Sequence, residues 1–373
     1  MMRRHTILGL AALVVLAWAP RTAARPRFCL PPVFDGGQRL HPVPVPSVLW
    51  LELLLRQHEL CWRQPATPDE VRIVVGGSST VFGHPLPVEE TFEHLLNRHF
   101  SETGIDAHLF NLAFVFPYQL RDAVIFHELL PYDPDVILYP ITLQEFVHVA
   151  PAFFPPQLVR FFETNVDPLA ALVNDPPPGL GEPLALYREV VAQEGGGKRW
   201  LDHFRELGLL LRVAAKQHAR WAAQHLGSPA PVPPMRTLGR PKYDCRNTQQ
   251  TIELQFQRWQ EWSILGYLED LRRTRGIEVL IINWPSAHDP IDDCYNARYS
   301  NAAMDEFNRW LHLETTTRNL PYLDLHDFLP ADAFLDSMHL NATGQRLVAA
   351  RLAEVLDPLA REIAARKHPR NPR

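Results

Sequence analysis

Short β-branched and aliphatic runs, spaced by segments of helical period, constrain this chain more than any other feature. Residues 71–75 form one such run; it ends in Gly76 and Gly77 and reads as a buried strand. The pattern then predicts a helix over 88–100, a strand over 106–112, a helix over 120–130 and a strand over 135–139. Strand–helix–strand–helix–strand is the order of a parallel sheet covered by helices. From about 151 to 245 the rhythm breaks, and proline clusters (Pro155-Pro156, Pro176 to Pro178, Pro229 to Pro234) alternate with helical patterns. It resumes with a helix over 248–275, a strand over 277–282, a helix over 297–318, a strand over 322–325 and a closing helix over 342–365. The expectation is one α/β domain with a doubly wound, five-stranded parallel sheet. A helical, Pro-rich insertion at 151–245 separates its two core parts, 70–150 and 246–367.

Composition excludes several classes. Hydrophobic residues at 46% and charged residues at 21% suit a chain that buries a real core, not a disordered one. A formal net charge of −5 argues against nucleic acid, which calls for a basic patch. The 35 prolines are about twice the usual share and imply long irregular connections.

The first 24 residues read as an address. Arg3, Arg4 and His5 precede an apolar run, residues 6–19, and then Pro20-Arg21-Thr22-Ala23-Ala24. A positive start, a short apolar stretch and a small-residue site describe an export signal, cleaved after Ala24 or retained as a membrane anchor. Either way the rest is expected outside the cytoplasm, periplasmic or extracellular. Residues 25–69 then read as an extended linker followed by a helix from Ser47 to Trp62, striped by Leu51, Leu54, Leu55 and Leu60. Four cysteines fit that compartment: Cys29 with Cys61 and Cys245 with Cys294 is the simplest pairing, among three that four cysteines allow. The 17 histidines contain no H-E-x-x-H or comparable ligand spacing, so neither metal nor cofactor is expected.

In open parallel sheets the reactive crevice lies beyond the carboxyl ends of the strands. Two features fall there. Gly77-Ser78-Ser79-Thr80-Val81-Phe82-Gly83 directly follows the first strand and holds a hydroxyl beside backbone N–H groups that can meet an anion. Asp336-Ser337-Met338-His339 stands just before the last helix. A carboxylate three residues before a histidine can hold the far ring nitrogen, leaving the near one to take a proton from a serine. Taken alone, Ser79 could equally cap a helix and His339 could be a helix-start residue. His84, just past the first turn, reads as a surface loop residue. Trp284, at the end of the fourth strand, reads as pocket lining or as core. The Asn341-Ala342-Thr343 sequon carries no weight so close to His339.

The Gly77–Gly83 turn and the Asp336–Gly344 loop resemble the first and last blocks of the SGNH (GDSL-type) esterase and acyltransferase superfamily. The resemblance covers about residues 70–148 and 275–360. It implies a flavodoxin-like sheet of five parallel strands, with Ser79 as nucleophile and Asp336 and His339 as its partners. The family's second block, Asn-x-Gly-x-x-Gly, falls on Asn111 to Phe116, with Ala113 and Phe116 in the glycine positions. Its third block, Gly-x-Asn-Asp, meets Pro140 to Glu145, where no asparagine stands and Gln144 is the one amide side chain. Those two blocks complete the oxyanion hole in the family, which makes Phe116 and Gln144 the candidate oxyanion or substrate-binding residues here. The expected activity is hydrolysis of a small-molecule or polysaccharide ester through an acyl-enzyme on Ser79. The alternatives are O-acyl transfer onto envelope polysaccharide, and glycan binding without catalysis.

Overall fold

A computed structural model describes residues 67–83, 86–113, 119–146, 174–176, 180, 263–289, 294–296 and 298–367. Five strands, β1 (Val71–Val75), β2 (Ala107–Asn111), β3 (Val136–Ile141), β4 (Glu278–Asn283) and β5 (Tyr322–Asp324), form one sheet in the order β2-β1-β3-β4-β5. Every pairing is parallel, with Ile73 opposite both Leu109 and Val136, Leu138 opposite Leu280 and Ile282 opposite Leu323. Strands covered on both faces have no solvent side, which is why β1, β3 and β4 are near-continuous apolar runs.

The helices are α1 (Ser79–Phe82), α2 (Phe92–Thr103), α3 (Gln119–Leu129), α4 (Leu265–Arg275), α5 (Asn301–Thr317) and α6 (Ala342–Lys367). Side chains alternate across a strand, and the sheet divides its core accordingly. On one face Val74 and Ile137 pack with Phe126 of α3, Leu268 of α4 and Phe307 of α5. On the other, Ile73, Val75 and Leu138 pack with Leu96 and Phe100 of α2 and Leu352 and Leu356 of α6. The chain leaves β1 over one face to reach β2, then returns over the other to reach β3. The topological switch point therefore lies between β1 and β3.

The observed elements depart from the expected spans where side chains stop helices. The segment expected as one helix over 88–100 is a short 3-10 turn, Val88–Glu90, and then α2, with the break at extended Thr91. The helix expected from 297 starts at Asn301, because Ser300 caps it by accepting a hydrogen bond from the Ala303 N–H. On edge strand β2, Asn97 of α2 donates to the Leu109 carbonyl at 2.9 Å and accepts from its N–H at 2.7 Å. Residues 1–66, the helix at 47–62 among them, and most of the insertion lie outside the described residues. Within the insertion Leu180 is fully buried and joins the core on the α3–α4–α5 face. Cys294 is disulfide-bonded to a partner outside the described residues, and among the described residues no helix is long and apolar enough to cross a membrane.

The start of α6 is fixed most tightly. Asn341 accepts from the Thr343 and Gly344 N–H groups and donates to the Asp332 carbonyl, capping the helix against residues 331–333. A Cβ on Gly344 would fall 2.4 Å from the Ala333 carbonyl oxygen, so only glycine allows this approach. Gly344→Ala is expected to cost about 1–3 kcal/mol of stability, as overpacking against backbone does, read as a lowered midpoint in thermal or urea unfolding.

Candidate active site

The first loop is built on glycines. Gly76 continues β1 by donating to the Leu138 carbonyl, and a Cβ there would lie 2.5 Å from the Phe126 ring. Gly77 then turns the chain at φ +122°, a conformation that side chains rarely adopt. Ser79 opens the single turn α1, with Val81 and Phe82 both donating to the Ser78 carbonyl. The Ser78 hydroxyl turns inward to Thr80 Oγ1 at 2.9 Å, whereas Ser79 is only half-buried.

The second loop closes on itself. An antiparallel bridge between Phe334 and Leu340 brings its two limbs together, and the Leu335 N–H donates to the His339 carbonyl at 2.7 Å. Asp336 lies at the tip. Its Oδ1 accepts from the Met338 and His339 N–H groups, each at 2.8 Å, and its Oδ2 lies 2.8 Å from His339 Nδ1. Met338 between them is buried under Tyr299, whose hydroxyl lies 3.8 Å from the thioether sulfur.

The two loops meet above the sheet. Ser79 Oγ lies 3.0 Å from His339 Nε2, across 260 residues of sequence. With Nδ1–H donating to Asp336, Nε2 is left to accept the Ser79 hydroxyl proton. Burial alone would raise the Asp336 carboxyl. The hydrogen bond and charge of His339 outweigh that, with help from the His339 and Met338 amides, and hold it down to about 2. A hydroxyl, an imidazole and an ionised carboxylate in this sequence of contacts can generate a nucleophile at neutral pH.

The remaining candidates are placed unevenly. Gln144 sits half-buried in the 3-10 turn Leu143–Phe146 that follows β3, its N–H on Thr142 Oγ1 at 3.3 Å. Among the described residues its carboxamide has no hydrogen-bond partner. That turn is pinned by Glu145, whose Oε2 accepts from the Thr142 N–H at 2.7 Å and from the Thr142 hydroxyl at 2.5 Å. Phe116 and His84 lie outside the described residues. At the end of β2 the Ala113 N–H is spent on Asn111 Oδ1 at 3.0 Å, so it is not free to meet an anion. Trp284 is core: it is 1% exposed and packs on Phe92 at a ring separation of 5.4 Å. No group of three His, Cys, Asp or Glu side chains able to hold a metal occurs among the described residues.

Sequence reasoning missed the buried polar residues beneath the two loops. Arg121 and Asp122 at the start of α3 are 2% and 1% exposed and contact one another at 2.6 Å. Glu145 is 2% exposed, and burial pushes its carboxyl up to about 8 against the pull of its Thr142 hydrogen bonds. Charged letters near a helix start read as solvated, and nothing local marks them as buried.

The strand order and the two loops that meet over its switch point together decide the architecture. The described residues form a flavodoxin-like α/β core, a five-stranded parallel sheet with helices on both faces. No family model matches the sequence, and no curated protein matches it. Solved structures similar to it include an acetyl xylan esterase, AlAXEase, at 11% identity, covering 77% of this chain and 100% of that one with a TM-score of 0.39. A GDSL-like lipase from Bacteroides thetaiotaomicron is 9% identical, over 81% of this chain and 95% of that one, with a TM-score of 0.37. The psychrotrophic esterase EstA from Pseudoalteromonas sp. is 11% identical, over 78% of this chain and 98% of that one, with a TM-score of 0.34.

The depressed Asp336 carboxyl links the site to stability. Its folded value lies below the ordinary 3.8, so its contribution is fully present above about pH 4 and is lost as pH falls towards 2. Asp336→Asn is expected to flatten the part of the acid limb of Tm against pH that lies between those values. A limb unchanged from wild type would show that the Asp336–His339 contact does not stabilise the loop.

Proposed function

We propose that this chain is an exported serine hydrolase of the SGNH type that cleaves an ester through an acyl-enzyme on Ser79. The observation that carries this reading is the run of hydrogen bonds from Asp336 through His339 to Ser79 Oγ. Ser79 Oγ attacks the ester carbonyl while His339 Nε2 takes its proton. Asp336 holds the ring in the tautomer with the proton on Nδ1 and stabilises the imidazolium that forms. His339 then protonates the leaving alcohol, and the acyl group stays on Ser79. A water molecule, deprotonated by the same Nε2, releases the acid and restores the serine. The Ser79 amide, at the start of α1, is the first donor to the developing oxyanion. Gln144, on the loop after the neighbouring strand β3, is the second. The substrate is an ester of a small molecule or polysaccharide, met outside the cytoplasm if residues 1–24 act as an export signal or anchor.

A fluorophosphonate probe tests the nucleophile directly, because it labels only an activated serine. Wild type is expected to label and to hydrolyse p-nitrophenyl acetate, and Ser79→Ala to do neither. A wild type that is folded yet neither labelled nor active overturns the esterase reading and leaves a crevice that binds glycan. Product analysis with and without an oligosaccharide acceptor separates hydrolysis from O-acyl transfer.

The Gln144 assignment has its own measurement. Gln144→Ala is expected to lower turnover about 10²–10³-fold with folding unchanged, the usual effect of removing one oxyanion donor. Wild-type turnover in that variant removes Gln144 from the mechanism and leaves the role of Ser79 intact.

A further inference from the structure

The most permissive link in the site is the pair Gly76–Gly77, which together with Ser78 joins β1 to Ser79. Two adjacent glycines allow the turn at φ +122° but do nothing to hold it, since glycine enters many conformations at similar cost. Beyond the Gly76 bond to β3, what holds it comes from α3. The Phe126 ring fills the space above Gly76 that a side chain would take. Five residues earlier on the same helix, Arg121 Nη2 donates to the Gly77 carbonyl at 2.8 Å. The same guanidinium donates to Asp122 Oδ1 through Nη2 at 2.6 Å and through Nε at 3.0 Å.

We infer that the buried Arg121–Asp122 pair is a positioning device for the nucleophile turn, fixing the Gly77 peptide and hence the direction of Ser79; the inference rests on the esterase reading above. A fold has no need of such a pair here. Burying two charges is expensive, and well-packed apolar residues of similar volume commonly serve stability as well or better. The arrangement makes sense as a geometric restraint. A guanidinium is a rigid planar fork whose donors keep a fixed relation, so a carboxylate that orients one edge also orients the rest. Asp122 sets the plane of Arg121, and Arg121 sets the Gly77 carbonyl, which lies two peptides before the nucleophile. Among the described residues Asp122 Oδ2 has no hydrogen-bond partner, and Arg121 is 2% exposed, so bulk solvent has little access to the restraint. The Tyr139 hydroxyl from β3 and the Glu145 carboxyl from the loop after it both feel the charge of Asp122.

Two variants of the full chain test this, with p-nitrophenyl acetate hydrolysis, the rate of fluorophosphonate labelling and thermal unfolding as readouts. The double variant Arg121→Met/Asp122→Leu removes both charges together, so neither member of the pair is left without the other. It is expected to stay folded and keep KM, and to lose about 10²-fold in kcat and in labelling rate, the scale on which a 1 Å misplacement acts. Arg121→Lys keeps the charge beside Asp122 but cannot serve carboxylate and carbonyl in one plane; it too is expected to lower kcat at unchanged KM. A purely structural pair would lower Tm and leave the kcat of the folded fraction alone. Wild-type kcat and labelling in the folded double variant overturn the inference while the esterase reading survives. Should the double variant unfold, Arg121→Lys decides by the same criterion. A wild type without activity or labelling overturns both readings at once.

Discussion

The parallel pairing of β1 with β3 is the constraint on which the rest of this structure depends. These strands are neighbours in space but not in sequence, because the chain goes out to β2 over one face of the sheet and returns over the other. That reversal opens a crevice above their carboxyl ends, since the connecting helices leave in opposite directions. The Ser79 turn leaves β1 there and the Gln144 turn leaves β3 beside it. The pairing is held by burial: Val74, Val75, Ile137 and Leu138 have essentially no exposed surface. A sheet covered on both faces has every strand locked in register, because any slip would move apolar side chains to the wrong layer.

The loops themselves obey a different physics. The Asp336–His339 loop is short-range and largely self-contained, closed by the Phe334–Leu340 bridge and by Asp336 accepting from two amides within its own turn. Its middle is also held from outside, Ser337 accepting from the Ala287 N–H and Met338 lying under Tyr299. The Ser79 turn is the opposite case. Its glycines are permissive, and its shape is imposed from α3 by Phe126 against Gly76 and Arg121 on Gly77. One loop owes more of its order to its own bonds; the other owes more to a neighbouring helix. That division matches the chemistry proposed, in which the acid and imidazole must be mutually oriented and the serine must be aimed.

Much of the fold was legible in the letters. The run Val71–Val75 is the observed strand without a residue's difference, and Tyr322–Asp324 lies within the expected span. Such runs announce themselves because strands buried on both faces must be apolar throughout. Boundaries were less legible where a single side chain decides them, as Ser300 does by capping α5 and Thr91 does by interrupting the helix expected from 88. Of the candidate site, Asp336 and His339 could be paired from their three-residue spacing, and Ser79 could be singled out by the Gly77–Gly83 turn and the block it resembles. The spent Ala113 amide and the buried Arg121, Asp122 and Glu145 could not be, since each depends on which groups the fold brings together.

What the sequence determined by itself is therefore periodic or local: which segments are strands, which are helices, and that Asp336 can hold a histidine three residues on. Those properties need only the pleat, the helical turn and short loops, which neighbouring residues encode. The tertiary structure alone decided three things: that Ser79 and His339, 260 residues apart, stand 3.0 Å from each other; that Trp284 is core; and that two charged residues of α3 lie buried against the turn that carries Ser79. Burial and long-range contact are properties of the packed sheet and its helices, and no stretch of residues carries them alone.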